Sequence, residues 1–220
     1  MDNKRLNWDP VTHYQDTEIA RRYDKERFSR LTGRIFHRLE CHFISRAFKS
    51  MPRGGKIIDV PCGTGRLAEV LLEDGYKIVG VDISAPMLTV ASERLARFGD
   101  RFEPQVADVR QMELPAQAYD AALCARVLMH FPLAEQISFL KSVAKLTRGP
   151  VVLTQSLSTP YQRFRRRMKR LIGNPAPAGY PITNKELATL LQESGLREVK
   201  RFRPMALITE EIIVVAEHNH

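Results

Sequence analysis

The fold of this chain is indicated most clearly by residues 57–68, Ile57-Ile-Asp-Val-Pro-Cys-Gly-Thr-Gly-Arg-Leu-Ala. The first half of this stretch is a short apolar run, typical of a buried strand, and its second half opens an amphipathic helix. Between them, Gly63 and Gly65 can adopt backbone angles that other residues avoid, and they let a ligand approach the main chain. Amide groups at the start of the helix would face that ligand. The stretch therefore predicts a strand, a ligand-binding turn and a helix.

Strand and helix patterns keep alternating after this stretch. Strands are predicted at Lys56–Val60, Lys77–Val81, Phe102–Ala107, Tyr119–Val127 and Val151–Ser156. Amphipathic helices are predicted between them, over 66–73, 86–98 and 133–146. Strands that alternate with helices at this spacing indicate a parallel sheet with helices on both faces.

The last third of the chain has a different pattern. Residues 160–181 are basic and rich in proline, and a capping box of Thr183 and Glu186 then opens a helix that ends at Gly195. Two strand-like runs follow, 197–202 and 207–216, with only a short link that favours antiparallel pairing. We therefore predict an α/β, Rossmann-like fold with a seven-stranded, mostly parallel sheet and an antiparallel C-terminal strand.

The length of 220 residues predicts one domain. Its predicted parts are an N-terminal helical cover (1–50), a cofactor-binding core (56–156), a basic lid (157–182) and a C-terminal helix with the strand pair (183–220). The helical prediction for the cover rests on apolar residues at mainly helical spacing, namely Ile19, Tyr23, Leu31, Ile35, Leu39, Phe43 and Ala47.

Composition favours an ordinary soluble protein, with 44% hydrophobic and 27% charged residues. We expect a cytoplasmic location, because the N-terminus lacks a secretory pattern and no apolar run approaches the ~20 residues that span a bilayer. The three cysteines, Cys41, Cys62 and Cys124, are widely spaced, and we predict that they are reduced thiols. We predict no metal site, because His37, Cys41 and His42 do not converge on a helix and lack a completing carboxylate.

Three carboxylates distinguish between two candidate cofactors. Asp82, after the second strand, is placed to accept hydrogen bonds from the ribose hydroxyls of a nucleoside-containing cofactor. The glycine turn also satisfies the loose G-x-G-x-x-G/A pattern of enzymes that bind dinucleotides. However, Asp59 would repel a pyrophosphate, whereas it suits a cationic aminoacyl sulfonium group. Asp108 can accept a hydrogen bond from an adenine amino group while the amide of Val109 donates to the ring. Together they favour S-adenosylmethionine.

Four motifs occur in an order that resembles the class I S-adenosylmethionine-dependent methyltransferases of the small-molecule type. They are Asp59-Val-Pro-Cys-Gly-Thr-Gly, Val81-Asp-Ile-Ser-Ala-Pro-Met-Leu, Ala107-Asp-Val and Tyr119-Asp-Ala-Ala-Leu-Cys-Ala-Arg-Val-Leu-Met-His-Phe. The resemblance covers residues 56–155 well and the remainder loosely.

The resemblance implies a role for each matching residue. The loop from Asp59 to Gly65, with Pro61, Cys62 and Gly63, would wrap the methionine portion, although Pro61 stands where the family often has glycine. The other implied cofactor contacts are Asp82 on the ribose, Ile83 and Met87 around the adenine, Asp108 and Val109 on its edge, Ala125 and Arg126 at the methionine end, and Tyr23 of an A-x-x-Y-D element closing over the cofactor.

Methyl transfer is a displacement at an already activated carbon, so the protein must mainly align the reactants. His130, after the fourth strand, is the best candidate for a general base, and a structural histidine beside Phe131 and Pro132 is the alternative. Tyr180 is a further candidate for lining the pocket.

The segment 161–172 concentrates six positive charges, and Phe164, Met168, Leu171 and Ile172 share one helical face. It is interpreted as a solvated helix, as a lid for an anionic substrate, as a helix resting on an anionic membrane, or as an RNA contact. RNA is the least favoured, because aromatic residues for base stacking are missing.

The leading hypothesis is therefore a methyltransferase acting on oxygen or nitrogen of a small, anionic or lipid-like molecule. Methylation of RNA or protein is the competing enzyme hypothesis, and a non-catalytic S-adenosylmethionine-binding protein is the alternative outside enzymes.

Overall fold

Seven strands form one sheet in the computed structural model of the chain, which describes residues 18, 20–21, 31–112, 115–171, 173, 179–205 and 209–219. The strands are β1 (Lys56–Asp59), β2 (Lys77–Asp82), β3 (Phe102–Val106), β4 (Ala121–Cys124), β5 (Val151–Ser156), β6 (Leu196–Phe202) and β7 (Glu211–His218). Their order across the sheet is β3-β2-β1-β4-β5-β7-β6.

One strand runs against the other six. The neighbours among β1 to β5 pair in parallel, whereas β7 pairs antiparallel with both β5 and β6. The predicted mostly parallel sheet with an antiparallel C-terminal strand is thus confirmed. Because β1 to β5 share a direction, their carboxyl ends lie along one edge of the sheet, here named the carboxyl edge.

Six helices accompany the sheet within the described residues. They are α1 (Leu31–Phe48), α2 (Arg66–Glu73), α3 (Ala85–Leu95), α4 (Leu133–Lys145), α5 (Pro160–Leu171) and α6 (Asn184–Glu193). Helices α1 to α3 contribute to one buried apolar cluster with the sheet, through Ile44, Leu71 and Leu88. Helices α4 and α6 contribute to the cluster on the other face, through Leu140 and Leu187. The sheet is therefore covered on both faces.

Local sequence signals define both ends of α6. The Thr183 hydroxyl accepts a hydrogen bond from the Glu186 amide at 3.2 Å, and the Glu186 carboxylate accepts one from the Thr183 amide at 2.7 Å. This confirms the predicted capping box of α6. Gly195, with φ of 74°, follows the helix, as its sequence position predicted.

Two strands differ from their predicted bounds. The strand predicted over 119–127 spans only Ala121–Cys124, because the backbone leaves the extended conformation at Arg126, where φ is 62°. A short 3₁₀ turn over Leu128–His130 follows instead. The last strand begins at Glu211, not at residue 207, and continues to His218.

The buried side of α1 also differs from the apolar pattern of its sequence. Leu31 and Ile35, on which the helix prediction drew, are 65% and 42% exposed. Phe36, Glu40 and Ile44 lie buried instead, one helical turn apart. The buried side includes Glu40 because its carboxylate pairs with Arg66 and Arg126 inside the protein.

Both ends of a chain excursion lie at the carboxyl edge. An isolated bridge joins Leu157, directly after β5, to Ile182, directly before α6. The Ser158 amide donates to the Ile182 carbonyl at 2.8 Å. The intervening segment, which contains α5, thus leaves and rejoins the sheet at one place. Among the described helices, none has the length and apolar character to cross a membrane.

Candidate cofactor site and active site

The glycine loop between β1 and α2 leaves its outer side open. Gly65 precedes α2 with φ of 73°, and a Cβ atom there would lie 2.8 Å from the side chain of Leu95. Gly63 has φ of 56°, and a Cβ atom there would meet nothing within 4 Å. Gly65 is therefore required by close packing, whereas Gly63 leaves room for a ligand against the main chain.

Asp82, at the end of β2, is bonded to this loop. Its Oδ2 accepts a hydrogen bond from the Gly63 amide at 2.8 Å, and its Oδ1 accepts one from the Ser84 amide at 2.9 Å. Burial raises the pKa of Asp82, and the amide hydrogen bonds oppose that rise. The structure thus brings together the two motifs that the sequence placed on successive strands.

Asp59, at the end of β1, is a buried carboxyl group with an unsatisfied oxygen. It is 1% exposed, and its Oδ2 atom lies buried without a hydrogen-bond partner. Burial raises the pKa of Asp59 to about 8, and the charge of Asp82 raises it further, while the Cys62 thiol lowers it. An oxygen of this kind fits an ammonium group, so the residues present suit the aminoacyl end of S-adenosylmethionine.

Pro61 and Cys62 form the bend of the loop. The Val60–Pro61 peptide bond is cis, and the Cys62 amide donates to the Val81 carbonyl of β2 at 2.8 Å. Cys62 is buried, and all three cysteines are free thiols, as the sequence predicted. The bend is therefore anchored to β2, next to Asp82.

The predicted adenine contacts lie around the ends of β2 and β3. The Ala107 amide donates to the Asp82 carbonyl at 3.0 Å, which brings the two strand ends together. Met87 and Val109 are buried, at 3% and 4% exposure, and Ile83 is half-buried. The structure therefore gathers the apolar residues of the second and third motifs beside Asp82.

Asp108 has a partner that the sequence analysis did not identify. The Arg110 guanidinium donates to both carboxylate oxygens, at 3.0 Å from Nε and 2.7 Å from Nη2. These bonds hold the pKa of Asp108 below its usual value. An adenine amino group would therefore share a carboxylate that already accepts from an arginine.

Arg126 is held at the carboxyl edge after Ala125, which is 5% exposed. Its amide donates to the Thr154 hydroxyl at 2.8 Å. Its guanidinium lies 5.2 Å from the centre of the Phe36 ring, a cation–π contact. The Nη2 atom is buried without a hydrogen-bond partner. Its positive φ of 62° is uncommon outside glycine.

Four charged residues, Glu40, Arg66, Arg126 and Glu211, form an ionic cluster at this edge. Glu40 is fully buried and accepts from Arg66 Nη1 at 2.9 Å and from Arg126 Nε at 2.8 Å. Arg126 Nη1 lies 3.7 Å from a Glu211 carboxylate oxygen. Burial and Glu211 raise the pKa of Glu40 to about 8, while Arg66 lowers it. The cluster ties the N-terminal helix α1 to the glycine loop, to the end of β4 and to the start of β7.

Most of this cluster was not predicted from the sequence. Arg126 was predicted as a cofactor contact, but Glu40, Arg66 and Glu211 were not identified. A signal did exist, since Glu40 shares a helical stripe with Phe36 and Ile44, and a carboxylate between apolar neighbours at i±4 indicates a buried partner.

His130 is half-buried at the end of the 3₁₀ turn that follows β4. The adjacent Met129 carbonyl accepts a hydrogen bond from the Tyr180 amide at 2.8 Å. This bond connects the excursion after β5 to the turn that carries His130. Tyr180 itself is 52% exposed. The backbone of the candidate pocket residue therefore contacts the turn that carries the candidate base.

Tyr23 lies outside the described residues, so its predicted role stays a prediction. His37 and Cys41 are in contact, with Sγ 3.2 Å from Nδ1, and Arg66 approaches the same imidazole. A guanidinium at that position opposes the binding of a cation. Among the residues that the structure describes, no group of three metal-ligating side chains was found.

A groove of about 980 Å³ opens elsewhere on the molecule. Its walls include Gly55, Asp120 and Pro150, which directly precede β1, β4 and β5. It therefore lies at the amino ends of the parallel strands, on the opposite edge from the glycine loop.

The central region of the chain is similar to known methyltransferases. Residues 57–149 match a family model described as a methyltransferase domain. A ubiquinone biosynthesis O-methyltransferase from Aliivibrio fischeri (strain MJ11) is 34% identical over 97 residues, which cover 43% of this chain and 40% of the relative. The chain thus spans less than half the length of the curated relatives that head the comparison.

Solved structures share the fold over nearly the whole chain. The magnesium protoporphyrin IX methyltransferase from Synechocystis PCC 6803, with bound SAH, has a TM-score of 0.76 at 17% identity and covers 95% of this chain and 98% of its own. A 1,6-didemethyltoxoflavin-N1-methyltransferase from Burkholderia thailandensis has a TM-score of 0.66 at 17% identity and covers 97% and 92%. The chain is therefore similar to a methyltransferase domain over residues 57–149, and it shares its fold with methyltransferases of solved structure.

Proposed function

We propose that this chain is a methyltransferase that carries a methyl group from S-adenosylmethionine to an oxygen or nitrogen atom of a small, anionic or lipid-like molecule. The observation that carries the proposal is the buried, unsatisfied Asp59 oxygen beside the open side of the glycine loop. An unpaired buried carboxyl oxygen is costly unless a ligand satisfies it. The matched methyltransferase domain, residues 57–149, supports the same conclusion.

Each residue around the loop has a proposed part in cofactor binding. Asp59 accepts from the amino group, and the main chain at Gly63 contacts the methionine portion. Asp82, already oriented by two amides, accepts from the ribose hydroxyls. The remaining contacts are Ile83 and Met87 on the faces of the adenine, Asp108 and Val109 on its edge, and Ala125 and Arg126 at the methionine end.

When bound, S-adenosylmethionine supplies a methyl carbon whose bond to a positive sulfur breaks as the acceptor atom bonds to it, with the electron pair staying on sulfur. The chain's own residues must hold the acceptor in line and exclude water, which can lower the barrier by several kcal/mol. The acceptor also loses a proton. His130, on the turn after β4, takes that proton in our proposal.

Two kinds of observation support the acceptor class. The excursion between Leu157 and Ile182 begins and ends at the carboxyl edge and carries six basic residues, which suits an anionic acceptor. The large apolar side chains exposed on α5 suit an acceptor that partitions into lipid. The relatives named above include enzymes of both O- and N-methylation, so both acceptor atoms belong to the proposal.

Calorimetric titration with S-adenosylmethionine and with its demethylated product tests the binding step. Asp82→Ala removes the ribose acceptor and should weaken binding about 100-fold, since two hydrogen bonds to a charged group are lost. Asp100→Ala, an exposed aspartate outside the site, should bind like the wild type. Thermal unfolding of each variant verifies that it folds. Absence of binding by the wild type would overturn the proposal.

Turnover then separates an enzyme from a non-catalytic binder. Cofactor consumption should appear with carboxylated, phosphorylated or lipid-like acceptors, and His130→Gln should reduce kcat about 100-fold without changing cofactor affinity. Turnover of that variant within a few-fold of the wild type would remove His130 from the mechanism. Cofactor binding without turnover on any acceptor class would favour the non-catalytic alternative.

A further inference from the structure

Helix α5 attaches to the rest of the protein through polar contacts. Gln162 is 4% exposed, and its Nε2 donates to the Thr209 carbonyl at 2.9 Å. Arg165 Nη2 lies 3.6 Å from a Glu210 carboxylate oxygen. Both partners precede β7 directly. These two described contacts between the helix and the body are therefore polar.

The apolar side of α5 faces outwards. Its residues recur at i, i+3, i+7 and i+10, which places them on one stripe of the helix. They are Tyr161, Phe164, Met168 and Leu171, at 52%, 62%, 44% and 72% exposure. A helix of a soluble domain normally turns such a stripe to the core. A contiguous exposed stripe of large apolar residues indicates a binding surface. These four residues are named the outer face of α5.

Positive charge surrounds this face. The helix carries six basic residues between 163 and 170, and the chain has no acidic residue between Glu135 and Glu186. Arg163 and Arg167 are exposed. The partner must therefore offer apolar area and negative charge together. A bilayer with anionic headgroups provides both, because apolar side chains enter the acyl boundary while basic residues remain among the phosphates.

The position of α5 relates this surface to the candidate active site. The helix begins four residues after Ser156, the last residue of β5, and therefore starts at the carboxyl edge. The end of its excursion is held by Met129, next to His130, through the Tyr180 amide. A surface that rested on the outer face of α5 would thus lie on the same edge of the sheet as the glycine loop.

We propose that α5 is an interfacial helix that docks the carboxyl edge of the sheet on an anionic phospholipid bilayer, from which the methyl acceptor is drawn. The docking itself needs only the described surface, while the delivery of an acceptor rests on the proposed methyltransferase function. Under this proposal the acceptor is a lipid-soluble molecule.

Flotation of the full chain with phosphatidylcholine vesicles, with and without phosphatidylglycerol, tests the docking. The wild type should float with the anionic vesicles and be released by salt. Phe164→Ser with Leu171→Ser should weaken binding at least tenfold, because the apolar insertion is lost. Arg163→Gln with Arg167→Gln should weaken it about 25-fold, at about fivefold per basic residue.

Matched controls carry the same changes away from the helix. Val199→Ser on β6 removes an apolar residue that is 41% exposed, and Lys141→Gln with Lys145→Gln removes two exposed charges from α4. These controls should float like the wild type. Equal binding by the α5 variants and the wild type, or failure of the wild type to float, would overturn the proposal.

Other occupants of the outer face give different results. A second copy of the chain would appear in sedimentation as an oligomer that Phe164→Ser with Leu171→Ser dissociates, and the docking proposal would then be wrong. Tight binding of RNA without flotation would also contradict it. Calorimetry of the α5 variants with S-adenosylmethionine keeps the two proposals apart. Flotation without cofactor binding defeats the proposed function alone, and cofactor binding without flotation defeats the docking alone.

Discussion

Helices α1 and α5 both reverse the usual partition of side chains between the core and the surface. On α1, the carboxylate of Glu40 is fully buried while Leu31 is 65% exposed. On α5, Gln162 is buried while Phe164 is 62% exposed. Glu40 and the start of α5 both lie at the carboxyl edge, next to the candidate site. Each reversal costs free energy unless the side chains have a partner. For α1 the partner lies inside the protein, and for α5 we infer that it lies outside.

The two reversals differ in how they are compensated. Glu40 obtains two guanidinium groups within 2.9 Å, so its burial cost is offset in the folded chain. On the outer face of α5, by contrast, Phe164, Met168 and Leu171 are 62%, 44% and 72% exposed. We therefore expect substitutions in the ionic cluster to change stability, and substitutions on the outer face to change binding with little effect on stability.

The largest effect is expected for Glu40→Ala. This change leaves the guanidinium groups of Arg66 and Arg126 buried without their shared acceptor, and should lower the free energy of unfolding by about 3–5 kcal/mol. Glu73→Ala is the matched control, since Glu73 pairs with Arg97 at 2.6 Å on the surface, where such pairs contribute about 0–1 kcal/mol. Urea unfolding measures both. Equal losses in the two variants would show that α1 is not anchored through its carboxylate.

A second effect concerns pH and Asp59. Burial raises its pKa from 3.8 to about 8 in the folded protein. Between these values the folded state holds a proton that the unfolded state releases, so the free energy of unfolding falls as pH rises. This group contributes at most about 1.4 kcal/mol per pH unit. Asp59→Asn, which cannot ionise, should flatten the decline between pH 5 and pH 8 by about that slope.

Urea unfolding across that pH range, without cofactor, provides the measurement. Glu40 has the same sign of shift, so some decline should remain in the Asp59→Asn variant. An unchanged slope would show that burial does not raise the pKa of Asp59 in the folded chain.

Features that depend on local sequence spacing could be predicted from the sequence. The glycine loop, the three aspartates at strand ends and the antiparallel end of the sheet follow from local spacing, so they were predictable. The same holds for the Thr183–Glu186 capping box, whose two residues lie three positions apart. Each of these signals is contained in a few consecutive residues, and each was confirmed as structure.

The ionic cluster could not be found in this way. Its members come from α1, the start of α2, the end of β4 and the start of β7, so no local pattern contains it. Glu40 and Arg126 are 86 positions apart in the sequence, and only the fold brings them together. Likewise, the sequence predicted that α5 has an apolar stripe, but periodicity does not state which way a stripe faces. That direction depends on Thr209 and Glu210, which are remote in sequence.

The smallest effect on stability is expected for Phe164→Ser. This variant tests whether the outer face of α5 is exposed in solution. Phe164 is 62% exposed, so its removal should change the free energy of unfolding by less than about 0.5 kcal/mol. Phe48→Ala removes the same kind of side chain from a site with 0% exposure and should cost about 3–5 kcal/mol. A large loss for Phe164→Ser would mean that another part of the chain covers the outer face in solution. The stripe would then be core, and the reason to seek a bilayer beneath the carboxyl edge would disappear.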